Sequence, residues 1–254
     1  AGAAIASSVS EAVSLLFFII YTSMTADKRK YGFRRAFTLR PHLLKGMLSI
    51  SGWTMVQSFI SVSIWFIFFL AIEHLGERPL AVTNIVRNIS ALLIMVISAF
   101  ATTAGALISN QIGAGEQRCL FKTCGMTLKL TYAILIPLLI ILCLFPESVL
   151  RAFTDSPSLI AASVNSVYVM ASSTLIMAPS FILFNAVSGT GNTKAGFIME
   201  MISLAVYTAV IYYGIIRLKP DVALCWFSEH VYGVTLSFLA WWYLKSGKWR
   251  GKKV

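Results

Sequence analysis

Apolar residues in this chain run on for about twenty positions or more at a time, and the longest stretch without a charge extends from Ser156 to Thr193. A helix rises about 1.5 Å per residue, so roughly 20 apolar residues cross the hydrocarbon core while satisfying their own backbone hydrogen bonds where lipid offers none. Windows of about 19 residues predict seven spans: Ala1 to Ser23, Gly46 to Ile72, Thr83 to Ser109, Thr123 to Phe145, Ser158 to Val187, Ala195 to Ile216 and Val222 to Leu244. Barrel strands would be about 10 residues with strict alternation, whereas these stretches are apolar all round and about twice as long. The expected fold class is all-α and integral to a membrane.

The polar connections divide by charge. Lys28, Arg29, Lys30, Arg34, Arg35, Arg40 and Lys45 fill the first. Arg118, Lys122 and Lys129 flank the third, Lys194 marks the fifth, and Lys245, Lys248, Arg250, Lys252 and Lys253 form the tail. The opposite side mixes Arg78, Arg87, Arg151, Arg217 and Lys219 with Glu73, Glu77, Glu147, Asp155 and Asp221. Excess Lys and Arg mark the cytoplasmic side, which predicts a multi-pass plasma-membrane protein, of the bacterial inner-membrane kind, with a cytoplasmic C-terminus and an outer start. The chain opens at Ala1 without an initiator Met, a basic n-region or a cleavage site, so its first apolar segment is not expected to be a signal peptide, and an outer start suits an excerpt of a longer chain. The organisation expected is one helix left from a missing first bundle (1–23), a basic cytoplasmic linker (24–45), a six-helix second bundle (46–245) and a basic tail (246–254).

Composition sharpens this. Hydrophobic residues make up 57% of the chain and charged ones 12%, against about 25% charged in soluble domains, and mean hydropathy is +0.78. The net charge of +11 gathers in connections rather than on a face with interleaved aromatics, so lipids rather than nucleic acid are the expected partner. Cys119, Cys124, Cys143 and Cys225 form no CxxC, and His42, His74 and His230 stand at no metal-ligand spacing. No metal site or cofactor is expected.

Two glycine-bearing connections, Asn110-Gln-Ile-Gly-Ala-Gly-Glu116 and Ser188-Gly-Thr-Gly-Asn-Thr-Lys194, lack the ending of a phosphate loop and follow no strand. Taken alone they are turns that close helix hairpins. With Gly2-Ala-Ala-Ile-Ala6 and Glu73-His-Leu-Gly-Glu77 followed by Leu80-Ala-Val-Thr-Asn84, the chain resembles the MATE family of multidrug and toxin extrusion transporters over essentially its whole length. The resemblance implies a protein of twelve helices in two pseudo-symmetric bundles, of which this chain supplies the sixth to twelfth. The missing N-terminal bundle would then be a partner of this chain. Some family members carry acidic residues for sodium in the first and fourth helices of the second bundle. Gly46 to Ile72 and Ser158 to Val187 have none, so that sodium site does not carry over.

Charge near a bilayer centre costs on the order of 3 kcal/mol, so ionisable groups there face a cavity or a partner. Glu11, Glu200 and Glu229 are the candidates for coupling to a proton or cation, because a carboxyl held away from water can take up and release a proton as its surroundings change. Ser203 and Tyr207 share the face of Glu200, and Tyr232 follows Glu229 by three. The structural alternative is that each carboxyl bonds a Tyr or Ser on a neighbouring helix and only holds the bundle together. Thr54, Gln57, Ser58 and Ser61 form a stripe ending near Trp65, and Asn165, Tyr168 and Ser172 form another. These substrate-cavity candidates either line an aqueous route or bond adjacent helices. Arg87 and Asn88 are outer-gate candidates, Arg87 either snorkelling to the interface or pairing with Glu73 or Glu77. Ala101, Gly105 and Ser109 form a small-residue ladder, and Pro137 and Pro179 leave backbone groups that need other partners.

The function expected is a secondary active transporter: an antiporter, coupled to H+ or Na+, that exports an amphiphilic, often cationic, small molecule by alternating access. The alternatives are a lipid-linked saccharide flippase of the same superfamily, which wants a cationic cavity, and a seven-helix receptor. No HExxH, GxSxG or paired catalytic carboxylates point to an enzyme.

Overall fold

The structure is a computed structural model and describes residues 2–25 and 41–250. All regular elements among these residues are helical: α1 (Gly2–Thr25), α2 (Pro41–Glu73), α3 (Glu77–Gly113), α4 (Leu120–Leu144), α5 (Pro146–Leu150), α6 (Pro157–Gly189), α7 (Thr193–Val210), α8 (Val222–Cys225) and α9 (Ser228–Ser246). A 3₁₀ turn (Gln117–Cys119) precedes α4, and α7 continues as a π-helical stretch, Ile211–Arg217. Seven stretches are long and apolar enough to span a membrane, from Ser8–Thr25 to Val222–Ser246. The chain is thus an all-α membrane protein, as the hydropathy pattern predicts. Most of the basic linker and the end of the tail, with Lys28 to Arg40, Lys252 and Lys253, lie outside the described residues.

Two compact units divide the chain at Leu48. The first, Ala1–Leu48, contains α1, whose apolar window is exposed along its full length. The second, Ser49–Val254, contains the remaining spans.

Helix starts differ from the hydropathy windows for a physical reason. α2 begins at Pro41 rather than Gly46, and α3 at Glu77 rather than Thr83. Proline near a helix start loses no bond, and an acidic residue in the first turn favours the positive end of the helix dipole, so polar caps extend helices beyond their apolar windows. The last span, expected as one helix, breaks at Trp226–Phe227 into α8 and α9.

Within the second unit, α6 is the hub, packed on α3, α4 and α9, with α7 against α9. α3 and α6 start together, where Arg78 Nη2 donates to Ser158 O at 3.3 Å, and cross at their far ends. There Gly189 meets Gly105 so closely that a Cβ on Gly189 would stand 2.5 Å from the Gly105 carbonyl oxygen. A Cβ on Gly105 would stand 2.9 Å from Asn185 O. Of the expected ladder, Ala101 is buried beside Ala104 and Ile108, while Ser109 is exposed. One core joins Phe68, Val86, Ile97, Met170 and Ile211, and another joins Ile108, Ile182, Leu236 and Leu244.

Both internal prolines sit inside continuous helices, Pro137 in α4 and Pro179 in α6. Pro179 has no N–H to give the carbonyl four residues back, that of Leu175. Tyr132 on α4 supplies the missing donor, its hydroxyl 2.8 Å from Leu175 O.

Two outcomes are expected in thermal unfolding of detergent-solubilised protein. Gly189→Ala should destabilise by about 1–3 kcal/mol, whereas Gly113→Ala, where a Cβ meets nothing within 4 Å, should not. Equal melting temperatures would dissolve the close-crossing argument. Tyr132→Phe should cost about 1 kcal/mol, and Tyr132→Phe in a Pro179→Ala background should cost less, because the Leu175 carbonyl then regains its own helical donor.

Candidate functional site

Every fourth or third residue of α7 from Glu200 to Tyr207 faces inward: Glu200, Ser203, Leu204 and Tyr207 are all buried. Glu200 is 3% exposed. Its Oε1 accepts from Ser61 Oγ on α2 at 2.9 Å and from the Tyr232 hydroxyl on α9 at 2.8 Å. Its Oε2 is buried with no hydrogen-bond partner. One carboxyl thus ties three helices together through one oxygen and leaves the other unmet.

The second carboxyl is arranged in mirror fashion. Glu229, in the first turn of α9, accepts at Oε1 from the Tyr207 hydroxyl of α7 at 2.6 Å. The tyrosines are therefore exchanged: the one on α7 serves the carboxyl of α9, and the one on α9 serves that of α7. Their rings meet edge to face at 5.7 Å, so the two carboxyls are joined through a continuous contact of two phenols. Sequence spacing had put each tyrosine beside the acid on its own helix.

A cavity of about 270 Å³ opens at this junction, lined by Ser61, Trp65, Leu204, Tyr207, Glu229 and Tyr232. Its walls are mostly aromatic and aliphatic, and among the described residues Glu229 is the charged group that lines it. The volume falls below the roughly 300–1,000 Å³ of drug-sized sites and suits a small ion with water, or one end of a larger molecule.

The remaining candidates are dispersed. Of the α2 stripe, Ser61 and Trp65 line the cavity, while Gln57 is half-buried and lends its carbonyl to Ser61 at 3.0 Å. Thr54 and Ser58 are exposed. On α6, Asn165, Tyr168 and Ser172 share an exposed face: Ser172 Oγ lies 2.9 Å from His230 Nε2, and the Tyr168 hydroxyl donates to Cys143 O at 3.4 Å. His230 in turn stacks on Phe227. Arg87 lies over the Phe69 ring, 5.3 Å from its centre, and makes no ion pair with Glu73 or Glu77 among the described residues. Asn88 is exposed. Glu11 is exposed on α1, in the other unit. Both carboxyls bond Tyr or Ser of a neighbouring helix, the structural alternative that the sequence raises; what spacing does not reveal is which phenol serves which acid.

Comparison with known proteins gives a consistent picture. A family model, MatE, matches residues 54–213, more than half of the chain. No curated protein matches the sequence. Among solved structures, a multidrug resistance MATE family transporter of the MOP superfamily, in its outward-facing conformation, is similar with a TM-score of 0.71 at 14% identity, over 80% of this chain and 46% of that one. A MOP superfamily transporter from Pyrococcus furiosus Vc1, described by a binding pocket of reverse polarity, is similar at 0.70 and 14%, over 78% and 44%. A MATE in the straight conformation is similar at 0.69 and 14%, over 83% and 47%. The chain spans under half the length of each of these structures.

Proposed function

Because the chain belongs to the MatE family, we propose that it is the second bundle of a secondary active transporter that exports amphiphilic, often cationic, small molecules in exchange for protons or sodium. The observation that carries this reading is Glu200: a buried carboxyl with one oxygen held by hydroxyls from two other helices and the second unpartnered. A proton or small cation arriving there satisfies Oε2, and its departure leaves the carboxyl to compete for Ser61 and Tyr232. Since Ser61 belongs to α2 and Tyr232 to α9, occupancy of one site is coupled to the packing of three helices.

Glu229 would be the second station. It lines the cavity, whereas Glu200 lies behind Ser61 and Tyr232, and it is bound by the phenol that packs against Tyr232, so a change at either carboxyl reaches the other through the two rings. Rocking of this bundle against the other bundle of the transporter would alternate access to a substrate held between them. The small cavity would take the coupling ion. The exposed polar face of Asn165, Tyr168 and Ser172, with Thr54, Gln57 and Ser58, would contribute to the larger substrate route, and Arg87 and Asn88 to its outer end. In this reading the basic end of the bundle faces the cytoplasm and Glu11 acts from α1.

A flippase for lipid-linked saccharides would instead need cationic walls for a pyrophosphate along the substrate route between the bundles.

The test is transport by the intact transporter reconstituted in vesicles with an imposed pH or sodium gradient. Glu200→Gln, which keeps the shape of the side chain but fixes it as neutral, should cut ion-driven export about tenfold or more while substrate binding changes by about twofold at most. Glu229→Gln should flatten the dependence of rate on the driving gradient. Full ion-driven export by both variants would remove the two carboxyls from the mechanism.

A further inference from the structure

A second concavity lies away from the carboxyl pair. It is a groove of about 610 Å³ with α6 as its floor, between walls from α4 and α9. Leu175 and Pro179 lie in the floor, Tyr132 in one wall, and Val234, Phe238 and Trp241 in the other. Leu175, Val234, Phe238 and Trp241 are all exposed. From Leu175 to Leu183 the floor is about 12 Å long at 1.5 Å per residue, enough for the upper half of an acyl chain. Tyr132 makes the floor smooth as well as apolar, since its hydroxyl covers the carbonyl that Pro179 frees.

On each wall a lysine lies beyond the lining residues toward the end of the bundle where Arg118, before α4, and Arg250, after α9, line one pocket. Lys245 follows Trp241 by one turn and holds its Nζ 4.7 Å from the centre of that ring. Lys129 precedes Tyr132 by three residues on α4, which runs the opposite way, and is exposed. The same end of the bundle carries Arg118, Lys122, Lys194, Lys248 and Arg250 against the single acid Glu116 among the described residues. An acyl chain joined to a phosphate fills the apolar groove and neutralises the lysines at its end, which a neutral lipid or an uncharged helix would not.

We propose that this groove is a binding site for an anionic phospholipid, one acyl chain lying along α6 between Tyr132 and Trp241 and the headgroup phosphate held at Lys129 and Lys245. The site is separate from the carboxyl cavity and does not depend on what is transported. Trp241 is both wall and neighbour of the cation, so it reports occupancy directly.

The experiment is fluorescence quenching of the full chain in detergent micelles by phosphatidylglycerol or phosphatidylcholine with brominated acyl chains, the Trp241 signal being taken as the difference between the parent and Trp241→Phe. Quenching of Trp241 should need several-fold less phosphatidylglycerol than phosphatidylcholine. Each of Lys129→Gln and Lys245→Gln should reduce that preference by roughly fivefold at most, the usual worth of one basic residue facing an anionic lipid surface. Lys245→Arg should keep it, which separates loss of charge from loss of fold. Equal quenching by both lipids, or a preference that survives Lys129→Gln/Lys245→Gln, overturns the proposal. So does quenching by neither lipid, since protein then covers the groove, and so does displacement of phosphatidylglycerol by inorganic phosphate, since a free anion then suffices.

Discussion

The approach of two backbones where Gly105 and Gly189 cross fixes the second unit. In lipid, burying apolar surface gives helices no reason to associate, because the tails are as apolar as the side chains. Close packing and interhelical hydrogen bonds have to do it, and small residues permit the first. With no Cβ at either glycine, α3 and α6 meet backbone to backbone at one end, while Arg78 bonds the Ser158 carbonyl at the other. α6 is thereby fixed along its length, and α9 packs on it. α7 packs on α9, and that pair carries both carboxyls and both phenols. The site stands on α9, which packs directly on α6, and on α7, one helix further, and inherits its register from that crossing.

Polar groups in these spans are settled mostly within their own helices. Thr127, Thr131, Ser163, Thr174 and Ser203 each donate to the carbonyl four residues back. Such groups cost little in lipid and hold nothing together. The side chains that reach across are fewer and more telling, among them Ser61 and Tyr232 to Glu200, Tyr207 to Glu229, Ser172 to His230, Tyr132 to the Leu175 carbonyl and Tyr168 to that of Cys143. Most involve a side chain long enough to cross between helices or an acceptor with spare lone pairs. A stripe of Ser and Thr at helical spacing is therefore weak evidence for a route through the bundle, and a buried Glu with a Tyr in reach is stronger.

That distinction explains what could be read from the chain. The spans were legible because lipid demands about 20 apolar residues in a row whatever surrounds them. Their starts were less so, since Pro41 and Glu77 extend helices by capping rather than by hydropathy. Glu200 and Glu229 stood out as charges in apolar surroundings. Their partners did not, because Tyr207 lies seven residues after Glu200 and Tyr232 three after Glu229, and spacing along one helix pairs each with the wrong acid. Only the packing of α7 on α9 exchanges them. Gly105 stands in a ladder of small residues that permits close packing, but Gly189 reads as part of a turn, and that the two meet depends on a crossing no local pattern contains.

The exchange of phenols also bears on what the junction can do. Had each tyrosine bonded the acid of its own helix, protonation of either carboxyl would have been a local event on a rigid rod. Bonded across, each carboxyl spans the α7–α9 interface, and Glu200 extends the link to α2 through Ser61. A change of charge at either acid then alters bonds between helices rather than within one. Size and wall chemistry restrict what causes that change: about 270 Å³ admits an ion and water more readily than a drug, and walls of phenol, indole and carboxyl favour a cation over an anion. The arrival or loss of one small positive charge at either acid is therefore felt as a change in the bonds between α2, α7 and α9.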